Sequence, residues 1–141
     1  MRGQRAAGRQ FVEDSNKSIR SYRDLIVWQD AMALAELCYR LVAKFPKDEL
    51  YGITSQIRRA AVSVPSNIAE GYGRESAGSY VQFLKTSRGS LRELETQLML
   101  CERIGLAQAE DVAQALEQCD SVGKKLHGLI VSVQRSEGQK R

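Results

Sequence analysis

The sequence predicts an all-α fold, an antiparallel up-down-up-down four-helix bundle. Three observations carry this. Apolar residues recur at alternating spacings of four and three through four separate segments, as they do along a helix face that meets a core. Helix breakers stand between the segments: Pro46, the pair Gly71 and Gly73, and Gly105. The connections are short, so consecutive helices must be antiparallel neighbours. Among shorter patterns, "AVSVP" alternates like a strand, but it is embedded in helical periodicity.

The first helix is expected from Asp24 to Phe45 and carries two apolar stripes. Trp28, Met32, Ala35, Tyr39 and Val42 form one; Val27, Ala31, Leu34, Cys38, Leu41 and Phe45 form the other. A surface helix of a monomer needs a single stripe. The expectation is therefore one face for the chain's own core and one for a second copy. The Val27, Ala31, Leu34, Cys38, Leu41 and Phe45 stripe is assigned to the oligomer interface. Pro46 ends the helix, and Lys47 or Asp48 opens the next.

The second helix is expected from Glu49 to Tyr72, with Ile53, Ile57, Ala61, Val64 and Ile68 facing the core. Pro65 lies inside it. Proline lacks an N–H and crowds the carbonyl four residues back, here that of Ala61, so a bend is expected, with nearby Ser and Asn side chains serving freed backbone groups. Gln56, Ala60, Asn67 and Gly71 line a neighbouring face of mostly short side chains, where another helix can approach closely. Gly71 and Gly73 supply the end, since glycine tolerates the left-handed conformation of a C-cap.

The third helix is expected from Ala77 to Ile104, with Tyr80, Leu84, Ser87, Leu91, Leu94, Leu98 and Cys101 as its core stripe and Gly105 as its cap. The fourth runs from Gln108 to Gln134 on Val112, Leu116, Cys119, Gly123, Leu126, Ile130 and Val133. Glu110 and Asp111 in its first turn and Arg135 at its end complement the helix dipole.

A length of 141 residues, 43% hydrophobic and 27% charged, is that of one globular domain. Residues 1–20 lack periodicity and are read as a disordered basic arm, 21–135 as the bundle and 136–141 as a disordered tail. The net charge of +4 is located mainly in residues 1–23, where Arg2, Arg5, Arg9, Lys17, Arg20 and Arg23 outnumber Glu13 and Asp14; the segment 24–135 is nearly neutral. Such an arm holds phosphate backbones non-specifically or serves only as a solubilising end. The apolar runs are far shorter than a membrane span, and no secretory signal is visible, so the expected location is cytoplasmic without membrane contact.

The chemistry-bearing residues are few. "GYGRESAG" is neither a dinucleotide-binding fingerprint nor a P-loop, and it follows a helix where such a site needs a strand. Ser63 and Ser66 have no histidine at plausible spacing. His127 is the single histidine, and Cys38, Cys101 and Cys119 are far apart in apolar contexts, so no metal site, cofactor or catalytic set is expected. The best functional candidate is basic: Lys85, Arg88, Arg92 and Arg103 fall on one side of the third helix, with Arg58, Arg59 and Arg74 adding to the surface. Repeated around an oligomer, such a stripe makes a band of positive potential suited to RNA or DNA. The bland reading is a solvated face paired with acids such as Glu95 and Glu102. Aromatic residues are too sparse around the stripe for base stacking.

The stretches "VWQDA", "FPKDELYGITSQIRRAAVSVPSNIAEGYGR", "FLKTSRGSLRELETQL" and "KKLHGLI" resemble the bacterial four-helix bundle proteins named after 23S ribosomal RNA intervening sequences. The accessory variability protein of diversity-generating retroelements is a more distant likeness. The resemblance covers roughly residues 20–134. The matching motif residues are Trp28, Pro46, Tyr51, Gln56, Arg58, Arg59, Pro65, Asn67, Glu70, Gly71, Glu93 and Glu95. None brings a catalytic role with it. The resemblance implies a homopentameric barrel with a central channel and, for the retroelement relatives, contact with nucleic acid and with a reverse transcriptase. This chain departs from the family in its arginine-rich N-terminal extension and its near-neutral body. The functional expectation is a non-enzymatic homo-oligomeric scaffold or adaptor that contacts RNA or DNA. The alternative is a protein-interaction module with no nucleic-acid contact.

Overall fold

The computed structural model describes residues 19–140. The expected basic arm therefore lies outside the described residues except at Ile19 and Arg20. Among the described residues there are four long helices and no strand: α1 (Ile26–Val42), α2 (Ser55–Tyr72), α3 (Ala77–Arg103) and α4 (Ala109–Lys140). Each packs on its two neighbours in the ring α1–α2–α3–α4–α1. The direction of each seam follows from its contacts. Gly71 at the end of α2 meets Tyr80 and Phe83 at the start of α3. Lys44, just past α1, pairs with Asp111 at the start of α4, while Asp30 near the start of α1 pairs with Lys125 far along α4. The bundle is all-α, antiparallel and up-down-up-down.

The periodic stripes of α2, α3 and α4 fill the centre. Ile57, Val64, Ile68, Leu84, Leu91, Leu94, Leu98, Cys101, Val112, Cys119 and Leu126 are fully removed from solvent. No helix among the described residues is long and apolar enough to cross a membrane.

Several boundaries differ from the sequence reading. Ahead of α1, Ser21 opens a short 3₁₀ turn, Tyr22–Asp24, with a capping box: its Oγ accepts from the Arg23 N–H at 3.0 Å, and the Asp24 carboxylate accepts from the Ser21 N–H. Asp24 and Leu25 thus precede the helix, and α1 starts at Ile26. The second helix does not begin at Glu49. A 3₁₀ turn, Lys47–Glu49, and a five-residue π-helical turn, Leu50–Thr54, come first, and the latter is kinked at its middle residue, Gly52, with φ −110° and ψ −118°. The fourth helix runs on through the expected tail as far as Lys140, and Arg141 lies outside the described residues.

The glycine caps divide. Gly73 closes α2 in the right-handed region, not the left-handed one expected. Gly105, at φ +80°, closes α3 in a Schellman arrangement: Leu106 N–H donates to Cys101 O at 2.9 Å and Gly105 N–H to Glu102 O at 3.1 Å.

The assignment of Val27, Ala31, Leu34, Cys38, Leu41 and Phe45 to an oligomer interface is incorrect. All six are 9% exposed or less and belong to the chain's own core. They sit on the side of α1 that faces α2 and α4, so no second copy can reach them in the folded chain. The side of α1 left partly open carries Trp28, Met32 and Tyr39 instead; their stripe-mates Ala35 and Val42 are buried.

Candidate nucleic-acid interface

The seven basic residues expected to form one surface occupy two sides of α3 and one end of the bundle. Lys85, Arg88, Arg92 and Arg103 follow one side of α3. That side leans toward α4, because a Cβ on Gly123 of α4 would stand 3.7 Å from the Arg92 guanidinium. Lys85, Arg92 and Arg103 are exposed and Arg88 is half-buried. Arg92 is held by Glu95, with Nη1 donating to Oε1 at 3.1 Å, so one member of the stripe is neutralised by an expected acid. Among the described residues Lys85, Arg88 and Arg103 have no ion-pair partner.

Arg74 sits apart, just beyond the end of α2. Its guanidinium donates to Glu70 Oε2 at 2.9 Å and lies 4.6 Å from the Phe83 ring centroid. Both contacts hold it against the α2–α3 seam and spend its charge locally.

Arg58 and Arg59 lie on the other side of α3. They line a cleft of about 750 Å³ that opens between the Leu50–Thr54 turn, the outer face of α2 and α3. The Arg58 guanidinium stacks 5.4 Å from the Tyr39 ring centroid of α1, and its Nε is buried with no hydrogen-bond partner among the described residues. Arg59 is exposed. Tyr51 projects from the turn at 93% exposure. Gln56, Glu93 and the hydroxyl residues Ser55, Ser63 and Ser90 also line it. The structure thus gathers five of the motif residues, Tyr51, Gln56, Arg58, Arg59 and Glu93, that the sequence reading noted without assigning them a shared place. The signal was present: Gly52 marks where the chain leaves the helix and turns Tyr51 outward.

The cleft rests on a rigid seam. Ser63 and Ser90 hydroxyls hydrogen-bond across α2 and α3 at 2.7 Å, and Asn67 Nδ2 donates to Ser63 O at 2.8 Å. The Ser87 hydroxyl donates to Val64 O at 2.8 Å, next to Pro65. The polar side chains around the proline bond the Ser63 and Val64 carbonyls, not the Ala61 carbonyl that Pro65 deprives of its donor, and α2 continues through Pro65. Gly71 makes the seam close: a Cβ there would stand 2.7 Å from Phe83 Cβ, which real neighbours do not allow.

The remaining chemistry-bearing side chains do not converge. Burial pushes the Cys38 and Cys119 thiols up to about 12 and raises Cys101 as well, with Glu49 adding to the last. All three are neutral thiols near pH 7. His127 is exposed on α4. Among the described residues no three of His, Cys, Asp and Glu gather where a metal ion could be held.

No curated protein matches the chain. The family model described as 23S rRNA-intervening sequence protein matches residues 23–128, all of α1, α2 and α3 and much of α4. With well over half of its 141 residues matched and the bundle in place, this chain belongs to the 23S rRNA-intervening sequence protein family.

Proposed function

We propose that this chain is a non-enzymatic, cytoplasmic, homo-oligomeric scaffold that contacts RNA or DNA along the α4-facing side of α3. The observation that carries this is the set Lys85, Arg88 and Arg103, which have no ion-pair partner among the described residues. Cations left without an acid keep their full charge for phosphates, and their contacts release counterions. The test is retention of RNA at physiological salt by the full chain and by the K85Q/R88Q/R103Q variant. The expected result is weaker binding of the variant, uniform across sequences, with a shallower salt dependence by up to about three. No retention by the parent chain, or retention lost only on deletion of residues 1–20, overturns the reading.

A second reading has its own observation. Met32 is 46% exposed and Val62 42% exposed, and both line a groove between α1 and α2 with Trp28, Tyr39 and Ala69. A second copy seated there removes this apolar surface from water. Under this reading the chain is a protein-interaction module, and the groove replaces the buried stripe as the self-contact. Light scattering distinguishes an oligomer from a monomer. Capture of one protein after nuclease treatment favours the module without nucleic acid.

A further inference from the structure

We propose that the cleft holding Arg58 and Arg59 binds an unpaired nucleotide of a single-stranded nucleic acid, its phosphate on the arginines and its base on Tyr51. This rests on the reading that the chain contacts nucleic acid, and adds a site on the opposite side of α3 from Lys85, Arg88 and Arg103. Three observations point to it. The Arg58 Nε is a buried donor with no acceptor among the described residues. Arg58 also lines the cleft, so its guanidinium carries positive charge at the cleft wall, and a phosphate entering there meets it in a charge-assisted contact. Tyr39 stacks on the guanidinium 5.4 Å from its ring centroid and fixes it in place, so little freedom is lost on binding. Tyr51 is 93% exposed on the turn that lines the same cleft as the arginines.

An exposed aromatic beside arginines is the arrangement that single strands use: bases stack on the ring while cations follow the backbone. A duplex keeps its base faces inside the stack and has nothing to offer the ring, so the fit is to an unpaired residue. The volume of about 750 Å³ is within the range of ligand clefts, and Gln56 places an amide on the same wall for a base edge. Glu93, also in the lining, is engaged by Gln97, whose Nε2 donates to its Oε2 at 3.3 Å. The aromatic residues missing around the α3 stripe are found here.

The experiment is fluorescence anisotropy of a labelled single-stranded RNA and of the same RNA as a duplex, titrated with the full chain. Tyr51 is so exposed that Y51A leaves the bundle intact. The expected result is that Y51A weakens single-strand binding about tenfold while duplex binding holds. Y51F, which keeps the ring, binds as the parent does. R59Q weakens binding and lowers the salt slope by about one. If Y51A and R59Q bind like the parent while K85Q/R88Q/R103Q does not, the cleft proposal fails and the broader reading survives. If the parent binds neither RNA, both fail. If Y51A changes the mass of the assembly and leaves RNA affinity untouched, the cleft is a contact between copies and the proposal is overturned.

Discussion

Along α1, Leu34 is 1% exposed and Cys38 is fully buried, whereas Met32 is 46% and Tyr39 42% exposed. These residues belong to two stripes with the same spacing, each one position from the other. Periodicity reports that a face is apolar, but it does not say which neighbour the face meets. The residue types hold a hint. The buried stripe has aliphatic side chains, a phenylalanine and a cysteine, which have no strongly polar tip to satisfy. Trp28, Met32 and Tyr39 are large, and two carry a polar group that seeks water or a partner at a margin.

The comparison can be broken most sharply through Cys38. Its thiol is raised from 9.0 to about 12, so near neutral pH its thiolate fraction falls by about a thousandfold relative to the unfolded chain. Alkylation at pH 8 should be negligible in the native protein and rapid in denaturant; fast native labelling followed by mass spectrometry would place this stripe at the surface. The same shift fixes a stability trend. The native thiol stays protonated where the unfolded one ionises. Its contribution is therefore complete below pH 9 and lost progressively as pH rises from 9 toward 12. Urea midpoints should fall across that window.

Truncation of the stripes separates them next. L34A should cost about 3 kcal/mol in denaturant unfolding, because it removes buried methyl groups and leaves a cavity. M32A should cost under about 1 kcal/mol, since its side chain keeps much of its access to water. Equal losses would mean that both stripes are core. A drop in assembly mass with M32A alone would assign the open groove to self-association.

Two glycines extend the comparison to the other seams. At Gly71 an added Cβ would collide with Phe83 Cβ at 2.7 Å, so G71A should destabilise by about 1–3 kcal/mol. At Gly89, mid-helix in α3, nothing stands within 4 Å, so G89A should stabilise by about 0.5–1 kcal/mol through chain entropy. Opposite signs in thermal melts confirm that close helix approach, not helix propensity, governs Gly71. This is the smallest expected effect and the most specific.

Much of the fold was legible in the residues. The stripes of α3 and α4 are buried as spaced apart from the half-buried Tyr80 and Leu116, Gly105 ends its helix while α1 already stops at Val42, short of Pro46, and Glu110 and Asp111 occupy the first turn of α4. The π-helical turn was not legible, because Ile53 and Ile57 continue the apolar spacing straight through it. Only Gly52 marked the break, and a single glycine is weak evidence inside a periodic run. The candidate site was half legible. All seven basic residues were named, yet Arg58 and Arg59 were joined to a surface that α3 separates from them.

By itself the sequence determined the four helices, most of their breaks and the family to which they belong. These follow from local rules: spacing of apolar side chains, proline geometry and glycine freedom act within a few residues of chain. The tertiary structure alone decided which stripe of α1 is core, which basic residues keep unpaired charge, and that Tyr51, Arg58 and Arg59 line one cleft. Such facts depend on which helix lies beside which, and burial and pairing are set by neighbours remote in the chain. Helix spacing carries no record of them.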